Sequence, residues 1–109
     1  MEVRGPCLLT FHNGKPCHLF EVGTTEITPK GYVNICYYFD NWDEAEVYVQ
    51  YLYQVAGVLD NQKKLRSKKV PAWEKNEIRD FLKSINLDAL ENAVKRLNPV
   101  IERRFTPKR

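Results

Sequence analysis

The sequence lacks the features that identify most enzymes and membrane proteins. It contains no glycine-rich phosphate loop and no Gly-x-Ser-x-Gly nucleophile elbow. Its three cysteines form no Cys-x-x-Cys pair, which is typical of a reduced, intracellular protein. No apolar run approaches the roughly 20 residues that a membrane span requires. These absences predict a non-catalytic, cytoplasmic protein without cofactor, metal site or membrane contact.

The net charge of +3 conceals an unequal distribution along the chain. Residues 1–60 contain three Lys/Arg and eight Asp/Glu, a balance of −5, whereas residues 61–109 contain fourteen and six, a balance of +8. A chain polarised in this way favours a polyanionic partner or charge-guided self-association.

The length of 109 residues predicts one domain. The order of the predicted elements makes it α+β, with an N-terminal antiparallel meander of three to four strands packed against C-terminal helices. We place the sheet in residues 1–40, the helical part in 41–105 and a basic, fraying tail in 106–109. Asn13-Gly14 is the strongest hairpin signal, because both residues tolerate positive φ. A two-residue loop there would pair Leu8 with Leu19 and turn Cys7, Leu9, Phe11, His18, Phe20 and Val22 toward the core.

The stretch from Gly31 to Asn61 combines an aromatic strand with a long helix. Alternation in Tyr32 to Phe39 turns Val33, Ile35, Tyr37 and Phe39 toward the core and leaves Tyr32, Asn34, Cys36 and Tyr38 on the other face. Asn41 is a suitable N-cap for the first helix, which is apolar on most sides and needs cover beyond a small sheet.

Two further helices are predicted after Pro71 and after Asn86. The third carries an apolar row at helical spacing, namely Leu87, Leu90, Val94, Leu97 and Ile101. This row is either intramolecular core or a seam between two chains. We expect a homodimer closed mainly by these helices, because the first helix also needs more cover.

Five cations within seven residues form the basic cluster, which consists of Lys63, Lys64, Arg66, Lys68 and Lys69. Such a cluster can bind phosphates and release counterions, although cations also stabilise an ordinary helix C-terminus. Arg103 and Arg104 form a second basic patch, and two patches can bracket a nucleic-acid strand. Tyr32 and Tyr38 are candidates for stacking on unpaired bases, or are half-buried partners within the sheet.

Three catalytic or metal-binding interpretations are less well supported by the sequence. His12 and His18 would be an acid–base pair, but the hairpin pattern turns them to opposite faces. His12, Cys17 and Cys36 match no common zinc spacing. The acidic residues Asp40, Asp43, Glu44 and Glu46 stand where a helix N-terminus favours carboxylates for structural reasons.

In outline the chain resembles the ThermoDBP type of archaeal single-stranded DNA-binding protein. The resemblance covers the order of elements: the hairpin at Asn13-Gly14, the aromatic strand Tyr32 to Phe39, and the helices that follow. It implies single-stranded nucleic acid as the partner.

The leading hypothesis is therefore a non-catalytic, single-strand-binding protein that uses the basic cluster, Arg103, Arg104, Tyr32 and Tyr38. The alternative is a small protein-interaction or inhibitor subunit that acts through the helical seam. A small nuclease is the third possibility.

Overall fold

A computed structural model of the chain describes residues 1–108. Its elements, in chain order, are β1 (Glu2–His12), β2 (Lys15–Thr28), β3 (Gly31–Phe39), α1 (Trp42–Arg66), α2 (Ala72–Ser84), α3 (Leu87–Lys95) and β4 (Val100–Pro107). The four strands form one antiparallel sheet in the order β1-β2-β3-β4. The predicted α+β class, with N-terminal strands packed on helices, is confirmed.

The C-terminal strand β4 is the main departure from the predicted organisation. Residues 100–107 pair with residues 31–38 of β3, so the sheet is not confined to residues 1–40 and the helical part does not extend to 105. Helix α3 ends at Lys95, and Pro99 separates it from the strand. The predicted helical row is therefore interrupted, because Leu97 follows the helix and Ile101 lies on β4.

The helices cover one face of the sheet, which we call the helix face. There α1 buries Ala45, Val49 and Leu52 against Val22 and Phe39. Helices α2 and α3 pack on α1 and not on the sheet. The opposite side, the open face, has no helix over it, and the molecule is correspondingly thin, with extents of 53 × 39 × 18 Å.

The first hairpin differs in register from the prediction. Asn13-Gly14 forms the two-residue loop, with Asn13 at φ 52°, but Leu9 rather than Leu8 pairs with Leu19. The bulge between Leu9 and Phe11 causes the shift, and the bulge between Arg4 and Cys7 reverses it. Because a shift of one residue exchanges the two faces, the predicted core face of β1 does not form, and Phe11 is exposed.

Local signals at the helix starts operate as predicted. The Asn41 side chain accepts hydrogen bonds from the backbone N–H groups of Asp43 and Glu44 at 2.8 and 3.2 Å. Asn86 likewise accepts from the Ala89 N–H at 3.4 Å. Each cap satisfies backbone donors that the helix itself leaves without a partner.

Candidate nucleic-acid interface on the open face of the sheet

One row of residues crosses all four strands on the open face. Arg4 on β1 stands beside Gly23 on β2, which pairs with Cys36 on β3, which pairs with Glu102 on β4. A Cβ added at Gly23 would lie 2.6 Å from an Arg4 guanidinium nitrogen. The missing side chain at Gly23 therefore allows the Arg4 guanidinium to lie across β2, toward the middle of the sheet.

The tip of the first hairpin bends back over the same face. His12 lies at this tip, and its Nε2 is 3.0 Å from Glu102 Oε1 on β4, the other edge strand. Three strand spacings of a flat sheet would span about 14 Å, so the bulged hairpin must curl to make this contact. The His12 ring also packs on Tyr38, with 4.7 Å between ring centroids.

Glu102 holds the tip and the sheet together through both of its oxygens. Its Oε2 accepts a hydrogen bond of 3.2 Å from the Tyr38 hydroxyl, while Oε1 pairs with His12. The hydrogen bond with His12 lowers the pKa of Glu102, and that from Tyr38 acts in the same direction. Burial raises the pKa of Tyr38 above its ordinary 10, so the phenol stays protonated and donates.

The curled sheet encloses a concave pocket of about 800 Å³, which we call the basin. Asn34 and Cys36 lie in its floor. Its charged and aromatic lining includes Arg4, His12, Tyr38, Glu102 and Arg104, and Arg103 of β4 also borders it. Two arginines of the open face, Arg4 and Arg104, stand against a single lining carboxylate, and that carboxylate is already paired with His12. The basin is therefore suited to an anionic ligand, and guanidinium groups match phosphate oxygens in geometry.

The two tyrosines predicted to stack on bases differ in their exposure to solvent. Tyr32 shares the open face with Tyr38 and is 40% exposed, so its ring is available for stacking. Tyr38 is only 7% exposed, and His12 covers its ring. Stacking of Tyr38 on a base would require the hairpin to move away from its ring, and it stays a prediction. Arg104 stands opposite Asn34 on the open face and lines the basin. Arg103 also borders the basin, but its position opposite Ile35 belongs to the helix face.

The basic cluster lies in the other layer of the molecule. Lys63, Lys64 and Arg66 occupy the last turn of α1, and Lys68 and Lys69 follow it in a turn. All five are exposed. Because α1 covers the helix face, the cluster and the basin belong to opposite layers of the molecule.

The candidate pair of histidines and the candidate zinc ligands do not assemble into a site. His18 packs edge-on against Phe20, away from His12. The Cys17 thiol donates to the Leu9 carbonyl, and within residues 1–108 no three His, Cys, Asp or Glu residues gather as metal ligands. Among the same residues, no helix combines the length and hydropathy needed to cross a bilayer.

Sequence reasoning missed Arg4, Asn34 and Glu102 as parts of one site. Gly23 was the available signal for Arg4, since a glycine inside a strand often marks the close approach of another group. Glu102 could not be found this way, because its position depends on β4.

Comparisons with models of protein families, with characterised proteins and with solved structures found no match.

Proposed function

We propose that this protein binds single-stranded nucleic acid on the open face of its sheet, without catalysing a reaction. The observation that carries the proposal is the convergence of Arg4 and Arg104 on a basin that no helix covers. Arginine pairs with phosphate in a bidentate manner, so these two groups suit a sugar–phosphate backbone.

Tyr32 supplies the second element of the proposed interface. Its exposed ring lies on the same face as Asn34 and two positions from it along β3. Stacking of a base on an aromatic ring contributes roughly 1–3 kcal/mol and requires an unpaired base. This requirement is the reason for proposing a single strand rather than a duplex.

The basic cluster has a secondary role in this proposal. Its exposed cations raise the local concentration of a polyanion, but they belong to the helical layer and not to the basin. A cytoplasmic setting agrees with the three free thiols of Cys7, Cys17 and Cys36.

A salt titration with matched variants tests the proposal. Fluorescence anisotropy with single-stranded DNA, RNA and duplex should show tighter binding of the single strands. Replacing Arg4 and Arg104 by Gln should reduce the log–log salt slope by about 1.4, from two phosphate contacts of about 0.7 each. The control replaces Lys68 and Lys69 by Gln, which changes the net charge equally.

The control variant should alter the slope less than the basin variant does. An equal or larger effect of the control would move the binding surface to the end of α1 and overturn the assignment to the open face. Absence of binding to any of the three nucleic acids would overturn the function itself.

A protein-interaction role is the second candidate, because α2 presents Trp73 and Phe81 to solvent. Exposed aromatic residues on one helix are common in protein interfaces. Replacing both by Ser should leave nucleic-acid affinity unchanged if the first proposal holds.

We also propose that the chain forms a homodimer. Among residues 1–108, thirteen large apolar side chains are exposed, and clusters of such side chains favour association. The interrupted α3 row does not provide a continuous helical seam for it.

A further inference from the structure

The two edges of the sheet differ in how well they can accept another strand. Two bulges interrupt β1, which also contains Pro6, and such irregularities protect an edge from pairing. In contrast, β4 is regular over residues 100–107, with Pro107 only at its end. The available edge is therefore that of β4.

The hydrogen-bond pattern identifies which backbone groups of β4 point outward. The Lys108 N–H donates to the Lys30 carbonyl at 2.9 Å, so Lys108 faces β3. In an antiparallel ladder, inward and outward residues alternate. The N–H and C=O groups of Ile101, Arg103 and Phe105 consequently point away from β3, toward solvent.

Three apolar side chains of β4 are exposed along this edge of the sheet. Val100, Ile101 and Phe105 are 66%, 56% and 52% exposed. On the helix face, α1 packs over β1, β2 and β3, but no helix packs over β4. Ile101 and Phe105 lie on this uncovered part of the helix face, opposite Tyr37 and Val33 respectively.

We propose that two copies of the chain pair through β4, antiparallel and centred on Arg103, to form one continuous eight-stranded sheet. This register places Ile101 opposite the partner's Phe105 on the helix face. It also places Glu102 opposite the partner's Arg104 on the open face. The strand is thus complementary to a second copy of itself in both hydrophobicity and charge.

Backbone geometry selects this register over its neighbours. With Arg103 on the two-fold axis, every outward residue faces another outward residue, which allows about six hydrogen bonds. If the two-fold axis lay closer to the C-terminus of β4, Pro107, which has no N–H, would enter the ladder. The two Arg103 side chains face each other at the axis, and this repulsion moderates the affinity.

Pairing of this kind joins the two basins. The row Arg4–Gly23–Cys36–Glu102 continues into the partner's Arg104 and its open face. The interface thus rests on the proposed homodimer, but it does not depend on nucleic-acid binding.

A cysteine cross-linking experiment tests the register. In full-length chain with Cys7, Cys17 and Cys36 replaced by Ala, Arg103→Cys should form an intermolecular disulfide under mild oxidation. The two Cα atoms at the axis would lie about 5.5 Å apart, within the range for a disulfide. The control is Thr106→Cys, whose two copies would lie about 20 Å apart and should not cross-link.

Analytical ultracentrifugation of the natural sequence tests the surface independently. Phe105→Glu should raise the dimer dissociation constant at least about tenfold, because it removes two symmetric contacts with Ile101. Ile27→Glu also replaces an exposed apolar side chain by a carboxylate, but on β2, and should leave the constant unchanged. Circular dichroism should show all variants folded.

Three results would overturn the proposal. A mass of 12.8 kDa, that of one chain, at the highest soluble concentration would remove the dimer and its interface together. A dimer in which Arg103→Cys does not cross-link, or cross-links no better than Thr106→Cys, would place the interface elsewhere. Equal weakening by Phe105→Glu and Ile27→Glu would do the same.

Discussion

Replacing Gly31 by Ala should detach the end of β4 and destabilise the whole domain. Gly31 begins β3, is buried, and has φ +154°, a region that side chains rarely occupy. It stands opposite Pro107, the last residue of β4. A Cβ at Gly31 would come within 2.9 Å of Pro107 Cα and 3.0 Å of Lys108 N, and closer still to the Thr106 carbonyl oxygen.

The expected cost has two parts. The unfavourable backbone conformation costs about 1–3 kcal/mol for a residue with a side chain. Overlap with backbone atoms, which cannot rotate away, costs a further 1–3 kcal/mol or so. The sum of about 2–6 kcal/mol is a large share of the roughly 5–15 kcal/mol that stabilises a domain.

Urea unfolding and thermal melting measure this change, and two other glycines provide controls. Gly14 has φ +77° but open space around it, so Gly14→Ala should show the conformational cost without the overlap. Gly57 lies inside α1 and also has open space. Gly57→Ala should therefore stabilise the protein by about 0.8–1 kcal/mol, the difference in helix propensity.

The order of the three variants is the decisive result. Gly31→Ala should lower the melting temperature by at least about 8 °C, at roughly 4 °C per kcal/mol. Gly14→Ala should lower it less, and Gly57→Ala should raise it. If Gly31→Ala unfolds at the same urea concentration as the natural protein, β4 does not pack against the start of β3.

Two further predictions concern Leu97 and Glu102. Leu97→Asp should unfold the protein, because this side chain packs against the core, whereas Leu90→Asp should leave it folded. Circular dichroism measures both outcomes, and equal effects of the two substitutions would contradict the packing of Leu97. The lowered pKa of Glu102 means that its contribution to stability is complete above its ordinary value of 4.5 and is lost as the pH falls through the lower, folded value. Glu102→Gln should therefore flatten the acid limb of a plot of urea midpoint against pH, and an unchanged limb would contradict the contact with His12.

Short-range signals predicted the elements that depend on a few neighbouring residues. Asn13-Gly14 forms its loop and Asn41 caps α1, because positive φ and side-chain capping are decided within about four residues. The regular alternation of β3 also correctly separated Phe39, on the core side, from Tyr38, on the other face.

The strand β4 could not be predicted by the same reasoning. Ile101 fits the spacing of the preceding helical row, and only Pro99 and the β-branched Val100-Ile101 pair argued for a change of structure. A strand at the end of a chain becomes stable when a distant strand offers its backbone groups, and here that partner is β3. Arg103 and Arg104 were thus recognised as cations, but their position in a sheet was not.

The sequence by itself determined the α+β class, the first hairpin loop, the helix caps and the face of β3 that enters the core, because each depends on local conformation or on the period of the pattern. Only the tertiary structure decided the bulges, the burial of Tyr38 and the basin. These depend on the curl of the sheet, which brings His12 to Glu102 across 90 positions of sequence. Contacts of that range arise from packing of the whole chain, and no short segment encodes them.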